Sequence, residues 1–176
     1  MKALIIIDAQ NEFSAEGKRP VPSHGAVIGA IREKVRQARA DEFLIAWIVH
    51  FNLPDESAAF VPGTWGAELV EGFGPEKGST REVLFEKNVY GAFTGTKIGQ
   101  WLALHQVNEV EIMGFYTHGC VSTTTREAIM ARLTVHIDIR ATGTCAIAHE
   151  ILGALGADEV KRSALLELAN MGANIY

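Results

Sequence analysis

The chain has 176 residues, of which 48% are hydrophobic and 21% are charged, and its formal net charge is −5. This length and apolar fraction predict one globular domain, over residues 1–176, with a substantial core. The negative balance gives no electrostatic case for nucleic-acid binding, and no apolar run approaches the ~20 residues of a membrane span. The chain enters its first strand without the basic and apolar segments of a secretion signal, so we expect a cytoplasmic protein.

Strand-like and helix-like segments alternate along the chain. Short apolar runs predict strands at 3–8, 43–50, 83–86, 109–113 and 133–138, with a last short one near 159–162. Longer segments predict helices at 24–40, 96–105, 120–132 and 146–156, and a final helix with Ser163 as its N-cap. This alternation predicts a parallel sheet covered by helices on both faces. The long irregular stretch 51–80 is more typical of a functional loop than of a linker.

Cys120 lies on a predicted strand-to-helix turn, within the segment Gly114–Val121. Its sulfur would therefore lie near a helix N-terminus, where the partial positive charge favours the thiolate. Because the thiolate is the reactive form, Cys120 is a candidate nucleophile, and we expect its pKa to lie below the ~8.5 of free cysteine. On its own it could equally be a small core residue. The second cysteine, Cys145, is interpreted as structural.

Two ionisable residues end other predicted strands. Asp8 follows the apolar run Ala3–Ile7, and Lys87 follows the short run 83–86. Because the carboxyl ends of parallel strands share one edge of a sheet, we expect Asp8, Lys87 and Cys120 to meet in one pocket. On position alone, Asp8 could instead be a strand-end cap, and Lys87 a solvated surface lysine.

Four motifs occur in an order that is typical of one enzyme family. They are the segments Ala3–Phe13, Pro62–Glu68, Lys87–Thr96 and Gly114–Ala128. On these motifs the chain resembles the isochorismatase-like cysteine hydrolases, a group that includes nicotinamidases and N-carbamoylsarcosine amidohydrolase. The resemblance covers almost the whole chain. It implies a Rossmann-like α/β fold, a three-layer α/β/α sandwich around a six-stranded, mainly parallel sheet.

The resemblance also implies a catalytic triad of Asp8, Lys87 and Cys120. In the implied reaction Asp8 takes the thiol proton and later passes it to the leaving amine, while Lys87 stabilises the thiolate. Cys120 attacks a carbonyl carbon, and water then cleaves the resulting thioester. The implied oxyanion hole consists of the backbone N–H groups of Tyr116 and Cys120. A cis peptide bond is implied between Phe115 and Tyr116.

No metal site is expected after the second strand. The resemblance associates nicotinamidases with a divalent metal that is held by an Asp-x-His pair and a further histidine. The corresponding segment here, Ile48–Leu53, contains only His50. A single imidazole does not make a metal site, so we predict neither a metal nor a cofactor and disfavour nicotinamide as substrate. His50 is interpreted as a pocket-wall or loop hydrogen-bonding residue.

Aromatic residues near the four motifs predict the wall of a small-molecule pocket. Phe13 and Trp65 could instead belong to the core or to an interface, and His118 could be an exposed loop residue. Arg140 stands where many relatives have an acid; it could recognise a carboxylate at the pocket rim, but a surface or subunit-contact role is favoured. The candidate substrate-binding residues are Phe13, Trp65, Tyr90, Phe115, Tyr116 and His118.

The leading functional hypothesis is a cysteine amidohydrolase that acts on a small amide or ureido compound. A second hypothesis is an isochorismatase that cleaves a vinyl ether, but that chemistry needs an acid and no thiol nucleophile. A third is a catalytically silent relative that serves as a binding subunit, which the intact triad argues against. The expected partners are a small-molecule substrate and a second copy of the chain, in a homodimer or homotetramer, with neither nucleic acid nor membrane.

Overall fold

The computed structural model describes residues 1–53 and 55–176, and a parallel sheet runs through its centre. Six strands of this sheet lie in the order β3-β2-β1-β4-β5-β9, and the two-residue strand β6 pairs with β4 as a seventh. All pairings in this sheet are parallel. The strands are β1 (Lys2–Ile7), β2 (Leu44–His50), β3 (Glu82–Lys87), β4 (Glu109–Phe115), β5 (Thr134–Ile137), β6 (Thr142–Gly143), β7 (Ile147–His149), β8 (Gly153–Leu155) and β9 (Asn174–Ile175).

Two layers of helices cover the sheet, because successive residues of each strand point to opposite faces. Ile5 and Ile7 of β1 pack in a cluster with residues of α3, α4 and α5. Leu4 and Ile6 pack on the other face, against α1. This arrangement confirms the predicted three-layer fold. The helices are α1 (His24–Ala40), α2 (Ala92–Gly95), α3 (Ile98–Leu104), α4 (Ser122–Met130) and α5 (Ala157–Asn170). Within the described residues, no helix is long and apolar enough to cross a membrane.

The C-terminal third differs from the sequence prediction. The segment 146–156 is not a helix but an antiparallel hairpin of β7 and β8, with Gly153 at a φ of +82° that a regular helix does not contain. The predicted strand at 159–162 lies inside α5, and so does Ser163, the predicted N-cap. The helix begins earlier because the Glu159 carboxylate accepts a hydrogen bond from the Gly156 N–H, at 2.8 Å. The sixth strand of the central parallel sheet is instead β9.

Gly114 sets the approach of β4 to β1 directly before the loop that carries Cys120. It pairs with Ile7 across the two strands and has a φ of +119°. A Cβ atom at this position would lie 1.9 Å from the carbonyl oxygen of Ile7. Only glycine therefore fits here, for both its conformation and its contact distance. One residue further along the chain, the peptide bond between Phe115 and Tyr116 is cis.

We expect Gly114→Ala to lower the free energy of unfolding by more than about 1 kcal/mol, because alanine strains both the backbone and the contact with Ile7. Gly29→Ala is the matched control, since Gly29 is an exposed residue inside α1 with no atom within 4 Å of its added Cβ. That change should raise stability by about 0.5–1 kcal/mol. Denaturant unfolding of both variants measures the two effects. A Gly114→Ala protein as stable as the unsubstituted chain would contradict this description of the turn.

Candidate active site

Asp8, Lys87 and Cys120 meet at the carboxyl edge of the sheet. Asp8 directly follows β1, Lys87 is the last residue of β3, and Cys120 lies in the turn after β4. The Lys87 ammonium Nζ donates to Asp8 Oδ2 at 2.8 Å and lies 3.2 Å from Cys120 Sγ. The Lys87 side chain is 0% exposed and that of Asp8 is 1% exposed. The three side chains therefore form one hydrogen-bonded cluster, in which Lys87 and Asp8 are buried and Cys120 is partly buried.

The backbone at Asp8 is shaped to aim its carboxylate into this cluster. Asp8 has a φ of +52°, in the left-handed region that aspartate adopts more readily than most residues. Its N–H donates to the carbonyl oxygen of Ile48 at 2.9 Å, and so extends the pairing of β1 with β2 by one residue. Strained backbone of this kind is concentrated at functional sites. The turn places the carboxylate over the strand ends.

His50 supplies the third acceptor for the Lys87 ammonium. Its Nδ1 lies 3.4 Å from Lys87 Nζ, and its Nε2 lies 2.9 Å from the side-chain oxygen of Asn52. A lysine ammonium can donate but cannot accept, so Nδ1 must be unprotonated and the Nε2–H donates to Asn52. The three ammonium protons then have three acceptors, on Asp8, Cys120 and His50.

Burial and neighbouring charges set the protonation states of Lys87 and His50. Burial alone would lower the pKa of Lys87, but the Asp8 carboxylate and the contact with Cys120 outweigh it and raise that pKa above its ordinary value. Burial and the neighbouring Lys87 charge lower the pKa of His50. Lys87 is therefore an ammonium and His50 a neutral imidazole at neutral pH.

Cys120 has a raised pKa, which contradicts the lowered value expected from the sequence. Burial is the largest cause, and the Asp8 carboxylate adds to it, while Lys87 acts in the opposite direction. The second Asp8 oxygen, Oδ1, is buried and has no nitrogen or oxygen donor. The resting cluster is therefore an Asp8–Lys87 ion pair beside a neutral thiol. Cys120 is therefore not intrinsically acidic, and the adjacent Asp8 carboxylate is positioned to accept its proton.

The turn that carries Cys120 is a π-type turn over Thr117–Val121, in which Gly119 has non-helical dihedrals of −108° and −108°. Such turns are frequent at functional sites. The Tyr116 carbonyl accepts from the N–H groups of Gly119 and Val121, at 3.0 and 3.2 Å. The Tyr116 N–H, in contrast, has no acceptor among the described residues. One backbone donor at the start of the turn that carries Cys120 is therefore unused.

A cavity of about 260 Å³ opens onto this cluster. Its volume lies at or below the lower end of the range for small-molecule sites, so its ligand is small. Of the predicted aromatic wall, Phe13, Tyr90 and Tyr116 line this cavity. The complete lining is Asp8, Phe13, Arg19, His50, Asn52, Ser57, Phe60, Asn88, Val89, Tyr90, Tyr116 and Cys120.

The other three predicted wall residues lie elsewhere. Phe115 is fully buried in the core and stacks on Phe13, 5.0 Å between ring centroids, so it supports the wall from behind. Trp65 is 51% exposed in a short 3₁₀ turn outside the cavity. His118 does not line the cavity; its ring stacks on Tyr116, and its Nδ1 contacts the hydroxyl of Thr144.

Sequence reasoning missed six lining residues. Asn52 and Asn88 follow β2 and β3 closely, so the strand-end rule that found Asp8 could have found them. The remaining four lie in irregular loops or carry no chemical signal in the sequence. Those four are Arg19, Ser57, Phe60 and Val89.

Arg140 lies outside the cavity lining. Its guanidinium donates to both carboxylate oxygens of Asp138, at 3.1 and 2.7 Å, and its side chain is 67% exposed. The rim position considered from the sequence is therefore wrong, because Asp138 holds the arginine at the surface.

The donor set beside His50 does not fit a metal ion. Both imidazole nitrogens are engaged, one by the Lys87 ammonium and one by Asn52. Across the described residues, 1–53 and 55–176, no group of three or more His, Cys, Asp or Glu residues has metal-binding geometry. A metal would need at least one further protein ligand at this position.

Removing the charge of Asp8 and removing the charge of Lys87 should shift the pKa of Cys120 in opposite directions. Asp8→Asn removes a negative charge and should lower that pKa, so alkylation by iodoacetamide at neutral pH becomes faster. Lys87→Met removes the stabilising cation and should raise it further. Alkylation rates across pH, with the modified peptide identified by mass spectrometry, separate Cys120 from Cys145. Shifts in the same direction for the two variants would contradict the assigned electrostatics.

Comparison with known proteins identifies the family. The Isochorismatase domain model matches residues 2–175. A secreted isochorismatase effector of Verticillium dahliae is 34% identical over 70% of this chain, and the match spans 63% of that protein's length. The nicotinamidase/pyrazinamidase of Mycobacterium tuberculosis is 31% identical, over 78% of this chain and 83% of its own. The crystal structure of an isochorismatase from Pseudomonas putida KT2440 aligns with a TM-score of 0.88 at 25% identity, over 99% of this chain and 86% of that one. The chain therefore belongs to the isochorismatase family of hydrolases.

Proposed function

We propose that this protein is a cysteine amidohydrolase, which cleaves a small amide or ureido compound through a thioester on Cys120. One observation carries the proposal: the buried Lys87 ammonium contacts both the Asp8 carboxylate, at 2.8 Å, and the Cys120 sulfur, at 3.2 Å. A base, a cation and a nucleophile are thereby held in mutual contact beside a small cavity. This is the arrangement that covalent catalysis by a thiol requires.

The first half of the reaction forms the thioester. Asp8 takes the proton from the Cys120 thiol, and the sulfur attacks the substrate carbonyl carbon while Lys87 stabilises the negative charge. The carbonyl oxygen becomes an oxyanion, which accepts hydrogen bonds from the backbone N–H groups of Tyr116 and Cys120. The intermediate then collapses, the carbon–nitrogen bond breaks, and Asp8 returns the proton to the departing ammonia or amine.

The second half restores the enzyme. Asp8 removes a proton from a water molecule, whose oxygen attacks the thioester carbon. The carbon–sulfur bond breaks, and the proton passes from Asp8 to the Cys120 sulfur as the carboxylic acid product leaves. Lys87 remains an ammonium throughout, because its pKa is raised by the charges around it. The raised pKa of Cys120 makes its thiolate a strong nucleophile once it has formed.

Although the relatives include proteins described as isochorismatases, the geometry of the site favours neither alternative. Cleavage of a vinyl ether needs a proton donor and no nucleophile, whereas this site is arranged around a thiol. A silent binding subunit would have no need of a buried ion pair against a cysteine, an arrangement that is costly to bury. We further propose a cytoplasmic location, since both Cys120 and Cys145 are free thiols.

Ammonia release from a panel of small amides tests the proposed function. Cys120→Ala and Asp8→Asn should each lower turnover by roughly 100-fold or more, because the nucleophile and the base act in the same step. The double variant Asp8→Asn/Cys120→Ala should be little worse than Cys120→Ala alone, since the losses of a cooperating unit are not additive. Near-normal turnover by folded Cys120→Ala protein would overturn the proposal.

Unfolding measurements on the same samples are the necessary control. Removing one member of a buried ion pair leaves the other charge without a partner, at a cost of about 3–5 kcal/mol. Asp8→Asn/Lys87→Met removes both charges, and it should therefore be more stable than Lys87→Met alone while remaining inactive. This variant separates loss of chemistry from loss of fold.

A further inference from the structure

Arg19 is a cation of the cavity wall that has no anionic partner among the described residues. Among the described residues, the charged side chains that line the cavity are those of Asp8 and Arg19. The charge of Asp8 is neutralised by its ion pair with Lys87. The hydrogen bonds that involve Arg19 are made by its backbone: its N–H donates to the Glu12 carbonyl at 3.0 Å, and its own carbonyl accepts from the Tyr116 hydroxyl at 3.0 Å. The guanidinium group is therefore available to a ligand.

The Tyr116 hydrogen bond fixes Arg19 to the wall that also carries the reaction centre. Tyr116 lines the cavity and begins the turn that holds Cys120. Burial raises the pKa of the Tyr116 hydroxyl, and the charge of Arg19 is a smaller effect that opposes this shift. Arg19 both lines the cavity and is exposed to solvent, so its positive charge lies at the mouth of the cavity.

The rest of the wall is uncharged. His50 is neutral because burial and Lys87 lower its pKa. Cys120 is a neutral thiol because burial and Asp8 raise its pKa. The remaining lining residues are either aromatic and aliphatic, or are polar without charge, such as Asn52 and Asn88. The cavity thus has a neutral reaction centre at its base and a single net positive charge, which belongs to Arg19.

We propose that the substrate is a small amide or ureide that carries one carboxylate, with its carbonyl carbon at Cys120 and its carboxylate on Arg19. The inference rests on the proposed amidohydrolase function and specifies its substrate class. The planar guanidinium fork can donate two parallel hydrogen bonds to a carboxylate, which fixes orientation as well as affinity. The cavity of about 260 Å³ limits the substrate to a short chain between the two groups.

Binding to a catalytically disabled protein tests the inference directly. In Cys120→Ala protein, calorimetry compares malonamate, succinamate and glutaramate with propionamide, butyramide and pentanamide, which lack the carboxylate. We expect the best acid to bind roughly ten- to hundredfold more tightly than its uncharged counterpart. Adding Arg19→Met should reduce this ratio to about one, because the charge-assisted hydrogen bonds are lost. Arg36→Met, on an exposed position of α1, is the matched control and should leave the ratio unchanged.

The inference is overturned if no acid binds, if acids and uncharged amides bind equally, or if Arg19→Met leaves the ratio unchanged. Ammonia release by protein with Cys120 intact distinguishes this failure from failure of the proposed function. Acids that bind through Arg19 but release no ammonia contradict the amidohydrolase proposal and leave the recognition of a carboxylate standing. Uncharged amides that are hydrolysed through Cys120, with no preference for acids, contradict only the role of Arg19.

Discussion

A lysine ammonium with no exposed surface governs the architecture of this protein. Removing Lys87 and Asp8 from water is expensive, and such a pair persists only where their mutual attraction and further hydrogen bonds offset that cost. Asp8, Cys120 and His50 provide an acceptor for each of the three ammonium protons. The ion pair therefore fixes the position of the thiol, and it also fixes the tautomer of His50. His50, which could have been a metal ligand, instead completes the hydrogen bonds of the buried lysine.

The fold brings these groups together by ending parallel strands at one edge. β1, β3 and β4 deliver Asp8, Lys87 and the Cys120 turn, and β2, between β1 and β3, ends at His50. Irregular backbone at this edge sharpens the placement, through the left-handed conformation of Asp8 and the close approach of Gly114 to β1. The buried side-chain amide of Gln10 adds a further constraint, because it bonds both backbone groups of His50 and the carbonyl of Ala67. The loop after β2 is thereby held against the site.

The meeting of Asp8, Lys87 and Cys120 could be predicted because buried apolar runs identify parallel strands, and the ends of such strands share one edge. The sequence could not reveal how far Cys120 is removed from water, so the predicted direction of its pKa shift was wrong. Arg19 lies in an irregular loop, where no periodicity relates a residue to the site, and its role depends on contacts that only the folded chain shows. The segment 146–156 has helix-like apolar spacing, but a left-handed glycine makes it a hairpin.

The central claim is that the buried ion pair prepares Cys120, and not another group, to accept an acyl group from the substrate. Rapid acid quenching after mixing with p-nitrophenyl acetate, followed by peptide mass spectrometry, measures this step directly. We expect a burst of nitrophenol matched by one acetyl group on the peptide that contains Cys120, and a much slower burst in Lys87→Met protein, because loss of the cation raises the pKa of the thiol further. A burst with the acetyl group on Cys145 or on a lysine, or an equally fast burst in Lys87→Met protein, would contradict this claim.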